Sequence, residues 1–310
     1  MADSQVSLRS GAMIDGPFTL GTAQLGLPYG LGAARRGLDV ASVDAILDRA
    51  VAEGVSWLDT AHAYGDAEAR IGAWSQAHAR RFNLASKLPN LAGTPDGEII
   101  EAARAAFEKS KARLRTRRID IYLTHKASDL QKPRIAEWLR ALRADGQIGA
   151  FGASTYTVED AAAALSVEGI GALQIPLNVT SAAFIESGLL ERAAALGVVV
   201  FARSVFLQGA LLLPPNRLPP HLQTLGDVNR RLQALARETG LALPALLMAT
   251  VRTLHGVSSL VLGVDSVTQL AELSAAFGNV QISAALRTAA LRIGRTVAPE
   301  IADPRLWPKT

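Results

Sequence analysis

A short stretch that follows an early apolar run carries the residue types needed to move a proton. Asp59 and Tyr64 stand five positions apart, and a glycine follows the tyrosine at once. A tyrosine can donate a proton to a carbonyl oxygen, or accept one in reverse, if its pKa, ordinarily about 10, is suitably adjusted. A lysine ammonium favours the phenolate, and a buried lysine needs a carboxylate beside it. We therefore expect Lys87 to lower the pKa of Tyr64, Asp59 to balance Lys87, and His125 to orient the substrate oxygen.

The sequence shows no evident protein nucleophile for the carbon of that carbonyl group. It contains no cysteine, which excludes disulfides, thiolate metal sites and a cysteine nucleophile together. A hydride from a nicotinamide is the natural complement to proton donation at the oxygen. The residues therefore suggest the interconversion of a carbonyl group and an alcohol.

Short apolar runs alternate with longer amphipathic segments along the chain. Continuous apolar runs separated by helices indicate buried parallel strands. Eight such units favour a single (β/α)8 TIM barrel of the α/β class over a doubly wound sheet. The predicted strands are Phe18 to Thr22, Ser56 to Leu58, Phe82 to Ser86, Asp120 to Thr124, Ile148 to Gly152, Ala172 to Ile175, Val198 to Ala202 and Leu260 to Leu262. The predicted helices lie near 42–53, 66–78, 96–115, 133–144, 157–165, 186–196, 226–238, 243–254 and 266–277, with Ser42 opening the first and Thr157 capping the fifth.

Polar residues follow the predicted strands from the second to the eighth. Catalytic groups in such a barrel lie at the carboxyl ends of the strands, so we expect these side chains to meet at one mouth. They are Asp59, Lys87, His125, Ser154 with Thr155, Gln174, Arg203 with Ser204, and Gly263 followed by Asp265 and Ser266.

Two segments fall outside the repeat. The stretch from Val205 to Gly226 carries four prolines and is too long for an ordinary barrel loop, which suggests a functional loop after the seventh strand. Ala284 to Val297 is predicted to form an additional C-terminal helix. No linker or low-complexity run appears, so residues 1–310 are expected to form one domain.

Charge and hydrophobicity argue against several classes of partner. The net charge is +4, from 32 Lys and Arg against 28 Asp and Glu, which is weak for a nucleic-acid-binding protein. No apolar run approaches the roughly 20 residues that span a bilayer, and residues 1–10 lack the apolar core of a signal peptide. We therefore expect a cytoplasmic protein that binds neither nucleic acid nor membrane; its oligomeric state stays open.

The motifs resemble those of the aldo-keto reductases, in particular a bacterial branch of that family. Asp59, Tyr64, Lys87 and His125 are similar to the family's catalytic tetrad and occur in its order. The resemblance continues through most of the chain: Leu20-Gly21-Thr22-Ala23, Asp120 to His125, Gly149 to Ser154, Gln174 with Asn178, Arg203 to Gly209, and Leu262-Gly263. It implies a barrel that binds NADP(H) or NAD(H) without a separate dinucleotide-binding domain, and a small carbonyl or sugar substrate.

The resemblance also implies which residues bind the cofactor. Ser154 and Gln174 match positions that hold the nicotinamide carboxamide, and Ser204 begins the segment that covers the pyrophosphate. Residues 263–272 match the segment around the adenosine phosphate. The complete set of candidates is Gly21, Thr22, Ser154, Thr155, Gln174, Arg203, Ser204, Gly263, Asp265, Ser266 and Gln269.

Four of these positions depart from the pattern of the family. Thr155 stands where the family often has asparagine, and Arg203 stands where an aromatic residue often stacks on the nicotinamide. Ser266 replaces the lysine or arginine that often reads the 2′-phosphate, and Asp265 beside it would repel that phosphate. NADP(H) is still the favoured cofactor, with NAD(H) possible and Arg252 as a candidate replacement cation.

Alternative interpretations of the same residues stay open. Asp59, His62 and His125 could serve a metal-dependent barrel hydrolase, although the favoured interpretation has no metal. A nicotinamide-nucleotide-binding regulatory module could keep the fold without significant turnover. Residues 30–32 come closest to a dinucleotide-binding glycine fingerprint but lack its third glycine. His62 could equally line the substrate pocket or lie exposed on a loop.

Overall fold

The computed structural model describes residues 14–30, 37–278 and 280–308. Two sequence predictions therefore fall outside the described residues. One is the absence of a signal peptide in residues 1–10, and the other concerns the glycine-containing stretch that continues into residues 31–36.

Eight parallel strands close into a barrel, so the predicted α/β fold class and the (β/α)8 architecture are confirmed. The first strand pairs with both the second and the eighth, which leaves no open edge. The strands are β1 (Thr19–Gly21), β2 (Trp57–Asp59), β3 (Asn83–Leu88), β4 (Ile119–Thr124), β5 (Ile148–Ser154), β6 (Ala172–Pro176), β7 (Val199–Arg203) and β8 (Ser259–Gly263).

Helices surround the barrel in the order that the sequence predicts. They are α1 (Ala23–Gly26), α2 (Val40–Ala52), α3 (Ala67–Ala77), α4 (Ile99–Leu114), α5 (Ala127–Leu130), α6 (Pro133–Ala144), α7 (Val158–Ala164), α8 (Ala182–Glu186), α9 (Leu189–Ala195), α10 (Leu225–Glu238), α11 (Leu243–Arg252), α12 (Val267–Phe277), α13 (Ala284–Gly294) and α14 (Pro299–Ala302). The extra C-terminal helix is therefore confirmed as α13. The short helices α1, α5, α8 and α14 were not predicted, because four or five residues are too few to show a helical period.

Helix caps agree with the sequence in one case and correct it in another. Thr157 accepts a hydrogen bond from the backbone N–H of Asp160, as its position before α7 predicts. Ser42, however, lies inside α2; the cap is Asp39, whose carboxylate accepts from the backbone N–H of Ser42. An aspartate in extended conformation satisfies the free N–H groups of a first turn as well as serine does.

The core has an inner and an outer layer. Side chains inside the barrel come from alternate strand positions and include Trp57, Phe201 and Ile121. A larger layer fills the space between the strands and the helices. The prolyl segment after β7 packs on α10, α11 and α13 through a separate apolar cluster that includes Leu211 and Leu222. This segment forms three short 3-10 turns: Leu207–Leu212, Pro215–Arg217 and Pro220–Leu222.

Within the described ranges, no single helix has the length and apolar composition needed to cross a bilayer. Helices α10 and α11 reach that length and composition only when they are taken together, and they meet at a 94° bend.

Candidate active site

A buried ion pair lies at the mouth of the barrel, where β2 and β3 end. The ammonium of Lys87 donates to Asp59 Oδ1 at 2.6 Å and to the carbonyl oxygen of Thr60 at 2.9 Å. It also lies 3.4 Å from the hydroxyl oxygen of Tyr64. Lys87 is 1% exposed and Asp59 is 3% exposed, so this contact is largely shielded from solvent. The structure thus brings three of the four predicted catalytic residues into direct contact.

The turn that carries Tyr64 is fixed by close backbone packing against α1. A Cβ atom on Gly26 would lie 2.0 Å from the carbonyl oxygen of Tyr64, and one on Gly65 would lie 2.4 Å from the carbonyl oxygen of Gly26. Gly65 also has φ of +53°, a conformation that glycine adopts at low cost. Two glycines facing each other therefore set the position of the tyrosine.

Burial of Tyr64 makes its proton harder to lose. The pKa of Tyr64 lies above its ordinary value because the phenol is buried, and the charge of Asp59 raises it further. The expectation of a lowered pKa is therefore wrong in its net direction: burial outweighs the cations that favour the phenolate, among them Arg203. Burial also lowers the pKa of Lys87, while its contact with Asp59 opposes that change. Tyr64 is therefore a neutral phenol that can donate a proton.

His125 lies beside Tyr64 as a neutral ring. The two rings meet edge to face with centroids 6.2 Å apart, and the backbone N–H of His125 donates to the carbonyl oxygen of Leu88. Burial lowers the pKa of His125 from 6.5 to about 4, and the charges of Lys87 and Arg203 act in the same direction. All four predicted catalytic residues therefore lie together.

The residues at the ends of β5 and β6 connect to the same ion pair. Gln174 donates from its side-chain amide to Asp59 Oδ1 at 2.7 Å and accepts from the hydroxyl of Ser154 at 3.1 Å. Thr155 is fully buried, and its backbone N–H donates to the carbonyl oxygen of Gln174. Ser154 and Gln174 lie together as expected, but Gln174 also holds Asp59 in place.

The other candidates lie around the mouth on β1, β8 and the start of α12. Thr22 is buried and donates its hydroxyl to the carbonyl oxygen of Asp59 at 3.0 Å, while a Cβ atom on Gly21 would contact Val261. Ser266 caps α12, because its hydroxyl accepts a hydrogen bond from the backbone N–H of Gln269. The side-chain oxygen of Gln269 in turn accepts a hydrogen bond from the backbone N–H of Asp265. The final candidate is Gly263, where a Cβ atom would collide with the side-chain amide of Gln24.

Arg252 lies at the opposite end of α12 from this cap. Its guanidinium donates to the carbonyl oxygen of Val280 and packs over the ring of Phe277, the last residue of the helix. An 11-residue helix is about 16 Å long, so Arg252 is too distant to replace a phosphate-binding cation beside Ser266.

Arg203 extends from the end of β7 across β6 to the loop that follows β5. Its guanidinium donates to the carbonyl oxygen of Thr155 at 2.9 Å and to the hydroxyl of Ser204 at 3.3 Å. It packs over the ring of Tyr156, with 4.2 Å between the guanidinium carbon and the ring centroid. Ser204 has φ of +60°, and the side-chain amide of Asn178 donates a hydrogen bond to its carbonyl oxygen. The segment that begins at Ser204 therefore starts in a conformation that is unfavourable for a residue with a side chain.

The ring of Tyr156 also contacts the C-terminal segment. The guanidinium of Arg305 lies 4.3 Å from the ring centroid and is paired with the carboxylate of Asp303. Sequence reasoning missed Tyr156, Asp303 and Arg305. In the sequence, only the position of Tyr156, two residues beyond Ser154, indicates a place near the site. Asp303 and Arg305 belong to no motif.

His62 faces away from the catalytic cluster. Its ring lies 3.2 Å from the hydroxyl of Ser110, which donates to the buried carboxylate of Glu68. Glu68 also accepts from Ser86, the neighbour of Lys87 on β3. Burial lowers the pKa of His62, which favours the neutral ring. His62 therefore belongs to a network linking the Asp59–Gly65 turn to α3, α4 and β3; the sequence did not reveal Glu68 as its centre.

The metal-dependent alternative lacks a suitable group of ligands. Across the part of the chain that the structure describes, no three His, Asp or Glu side chains are arranged to hold a metal ion. His62 in particular is directed towards Ser110.

Sequence and structure comparisons identify the relatives of this barrel. The Aldo/keto reductase family model matches residues 17–286. A 6-dehydroglucose reductase from Novosphingobium aromaticivorans is 30% identical over 219 residues, which cover 66% of this chain and 72% of that protein. An aldo/keto reductase from Klebsiella pneumoniae, solved in complex with NADP and acetate, is 26% identical with a TM-score of 0.66 over 89% of this chain and 90% of that one.

A glycerol dehydrogenase from Gluconobacter oxydans is similar in fold, with a TM-score of 0.73 at 23% identity over 91% of this chain and 94% of that one. The match of the family model extends from just before β1 to the start of α13 and so includes every strand of the barrel. The chain therefore belongs to the aldo/keto reductase family and is an NAD(P)-dependent oxidoreductase of that type.

Proposed function

We propose that this enzyme interconverts a carbonyl compound and an alcohol, with Tyr64 as the acid that protonates the carbonyl oxygen. The observation that carries this proposal is the contact of the Tyr64 hydroxyl, at 3.4 Å, with a Lys87 ammonium bound to Asp59. In the reducing direction, a neutral phenol gives its proton to the oxygen as negative charge develops there. In the oxidising direction, the phenolate accepts the proton of the alcohol.

The remaining members of the cluster have separate proposed roles. Lys87 stabilises the phenolate that proton transfer leaves behind, and Asp59 holds the ammonium in place with Gln174. His125 is neutral near pH 7 because its pKa is about 4, so its ring can orient the substrate oxygen by donating a hydrogen bond.

A nicotinamide nucleotide would supply the hydride to the carbonyl carbon when it is bound. The residues at the mouth fit such a group. Helix α12 begins beside β8 with its N-terminus at the mouth of the barrel, and a helix N-terminus favours a phosphate. The strained segment that begins at Ser204 borders the same opening. Ser154 and Gln174 would hold the carboxamide, and Gly263, Asp265, Ser266 and Gln269 would lie near the adenosine end.

We propose NADP(H) as the preferred form of the cofactor, with a sugar or another polar carbonyl compound as the substrate. The similar structure from Klebsiella pneumoniae contains NADP, and the similar protein from Novosphingobium aromaticivorans is named for a sugar-type substrate. Asp265 argues in the other direction, because its carboxylate would repel a 2′-phosphate. Fluorescence titration should give a lower Kd for NADPH than for NADH; equal or tighter binding of NADH would contradict this preference.

Substitution of Tyr64 by phenylalanine tests the catalytic role. We expect Tyr64→Phe to lower kcat by about 10²- to 10⁴-fold on a panel of aldehydes, ketones and sugars, because the proton donor is lost. Binding of NADPH, measured by fluorescence, should persist. Retention of wild-type kcat by this variant would show that another group donates the proton.

Tyr122→Phe is the matched control. Tyr122 is buried against Phe107 and Trp138 between β4 and the helices, and its hydroxyl has no hydrogen-bond partner among the described residues. This variant should keep wild-type kcat. If the wild-type protein binds NADPH but reduces no member of the panel, a nucleotide-binding regulatory module becomes the better interpretation.

A further inference from the structure

Arg203 carries a positive charge that is not balanced within the described residues. The other cations around it are paired, Lys87 with Asp59 and Arg305 with Asp303, whereas no carboxylate in these ranges forms an ion pair with Arg203. Asp303 is close enough for Arg203 to help lower its pKa, but both of its oxygens accept hydrogen bonds from Arg305. A half-buried guanidinium in this setting favours the binding of an anion.

The guanidinium also has hydrogen-bond donors to spare. An arginine offers five N–H donors, and two of these, one on each terminal nitrogen, are used by Thr155 and Ser204. Packing on Tyr156 limits the rotation of the group, so its remaining donors are held in position. A planar fork of this kind matches the two oxygens of a carboxylate.

The position of Arg203 indicates that the anion belongs to the substrate. Its side chain reaches Thr155, the residue after β5, and so extends towards Ser154 and Gln174 at the ends of β5 and β6 rather than towards β8 and the start of α12. Its charge also acts to lower the pKa values of Tyr64, His125 and Tyr29, so its electrostatic field extends to the proposed proton donor. The carboxamide proposed for this end of the cofactor is neutral, so it would not balance the guanidinium.

We propose that Arg203 binds a carboxylate on the carbonyl substrate, so that the enzyme selects aldehydes or ketones that carry an acid group over neutral ones of the same shape. This inference rests on the proposed carbonyl reduction. Arg305 provides an internal comparison, since it packs over the same tyrosine but already has a carboxylate partner.

The test compares two aldehydes of the same shape, 4-carboxybenzaldehyde, which carries a carboxylate, and 4-carbamoylbenzaldehyde, which carries a neutral amide. In the wild-type enzyme, kcat/KM for the acid should exceed that for the amide by about 10-fold or more, the size expected of a charge-assisted hydrogen bond. Arg203→Gln should bring the ratio to about 1, whether or not it also changes kcat/KM for each substrate separately. Arg203→Lys keeps the charge without the fork and should give an intermediate ratio, while Arg305→Gln should keep the wild-type ratio.

Two further results would overturn the inference. One is a wild-type ratio near or below 1. The other is an unchanged ratio in Arg203→Gln together with a raised Kd for NADPH, which would assign the guanidinium to the cofactor.

A binding experiment separates this inference from the proposed function. The complex of the enzyme with NADPH is titrated with 4-carboxybenzyl alcohol and with 4-carbamoylbenzyl alcohol, and nucleotide fluorescence is followed. Tighter binding of the acid than of the amide in wild type, but not in Arg203→Gln, supports the anion site even if neither aldehyde is reduced. Failure to reduce either aldehyde would count only against the proposed carbonyl reduction. Reduction of both aldehydes without any preference in rate or binding removes the anion site and leaves carbonyl reduction intact.

Discussion

At the residue scale, burial decides the protonation state of the proposed catalytic residues. Lys87 is buried and Tyr64 and His125 are half-buried, and loss of hydration is the largest cause of the pKa shift in each. Burial favours the uncharged form, so it keeps the proton on the phenol and keeps the imidazole neutral. The cluster at rest is therefore set for proton donation, the direction that carbonyl reduction needs.

The pKa of His125 makes the stability of the fold depend on pH. Because this pKa is about 4 in the folded chain and 6.5 as its ordinary value, the unfolded chain binds more protons between these two values. The free energy of unfolding should therefore fall as pH drops from 7 to 5, by up to about 2 kcal/mol from this residue. Urea unfolding of wild type and His125→Gln at pH 7 and at pH 5 measures this change in the free energy of unfolding.

His125→Gln lacks the titrating group, so its stability should change less over this interval. The difference between the two proteins, rather than either slope alone, isolates the histidine from the carboxyl groups that also begin to titrate. Parallel slopes would mean that the ring is accessible to protons in the folded chain.

The sequence was sufficient to predict which of the proposed catalytic residues meet but not how they titrate. Apolar runs that end in a polar residue indicate Asp59 and Lys87 at the ends of β2 and β3 and His125 directly after β4. The direction of the Tyr64 pKa shift depends on how deeply the phenol is buried and on how far the charge of Lys87 is already balanced by Asp59. Neither quantity is encoded in residue spacing.

At the scale of single elements, several strands extend further at their carboxyl ends than the sequence predicts. Runs chosen for apolar character stop at Leu58, Ser86, Gly152 and Ala202, whereas the strands continue to Asp59, Leu88, Ser154 and Arg203. The additional residues pair with neighbouring strands in the same register, so the polar site is part of the barrel. Residues on a strand are held more rigidly than residues on a loop, which suits groups that must keep contact distances.

The packing of α1 against the Tyr64 turn makes a prediction about a residue outside the motif. In Gly26→Ala the new methyl carbon would lie 2.0 Å from the carbonyl oxygen of Tyr64, so the turn must move. A displacement of about 1 Å at a catalytic group can lower the rate about 10²-fold, and we expect a loss in kcat of at least about 10-fold. Steady-state kinetics with NADPH and a reducible aldehyde measures this change.

Gly97→Ala is the control, because no atom lies within 4 Å of the position that its Cβ would take. It should keep wild-type kcat. If Gly26→Ala also keeps wild-type kcat while remaining folded by circular dichroism, the turn tolerates displacement and the proposed role of this contact is wrong.

At the scale of the whole molecule, closure of the barrel joins distant parts of the chain at one mouth. β1 pairs with β8, although more than 200 residues separate them, and Gln174 on β6 reaches Asp59 on β2 across the opening. The repeat of strand and helix predicts this closure, because eight units complete a barrel. The return of the C-terminal segment to Tyr156 could not be predicted, since stacking of one arginine on one ring leaves no periodic pattern.

Closure has a thermodynamic consequence for cofactor binding. The proposed cofactor residues lie on β1, β5, β6, β7 and β8, so a bound nucleotide would contact both the first and the last strands of the chain. Such a ligand binds the folded barrel and not the unfolded chain. Its binding energy therefore adds to the free energy of unfolding by RT ln(1 + [L]/Kd), which is about 2.7 kcal/mol at a free concentration of 100 times Kd.

We expect NADPH at that concentration to raise the unfolding free energy of wild type and of Tyr64→Phe equally, because the phenol serves proton transfer and not nucleotide binding. Urea unfolding with and without the nucleotide measures both values. NADH at the same concentration should give a smaller increase if NADP(H) is preferred. No increase with either nucleotide would contradict the proposed site, whereas an increase confined to wild type would show that Tyr64 itself contributes to binding the cofactor.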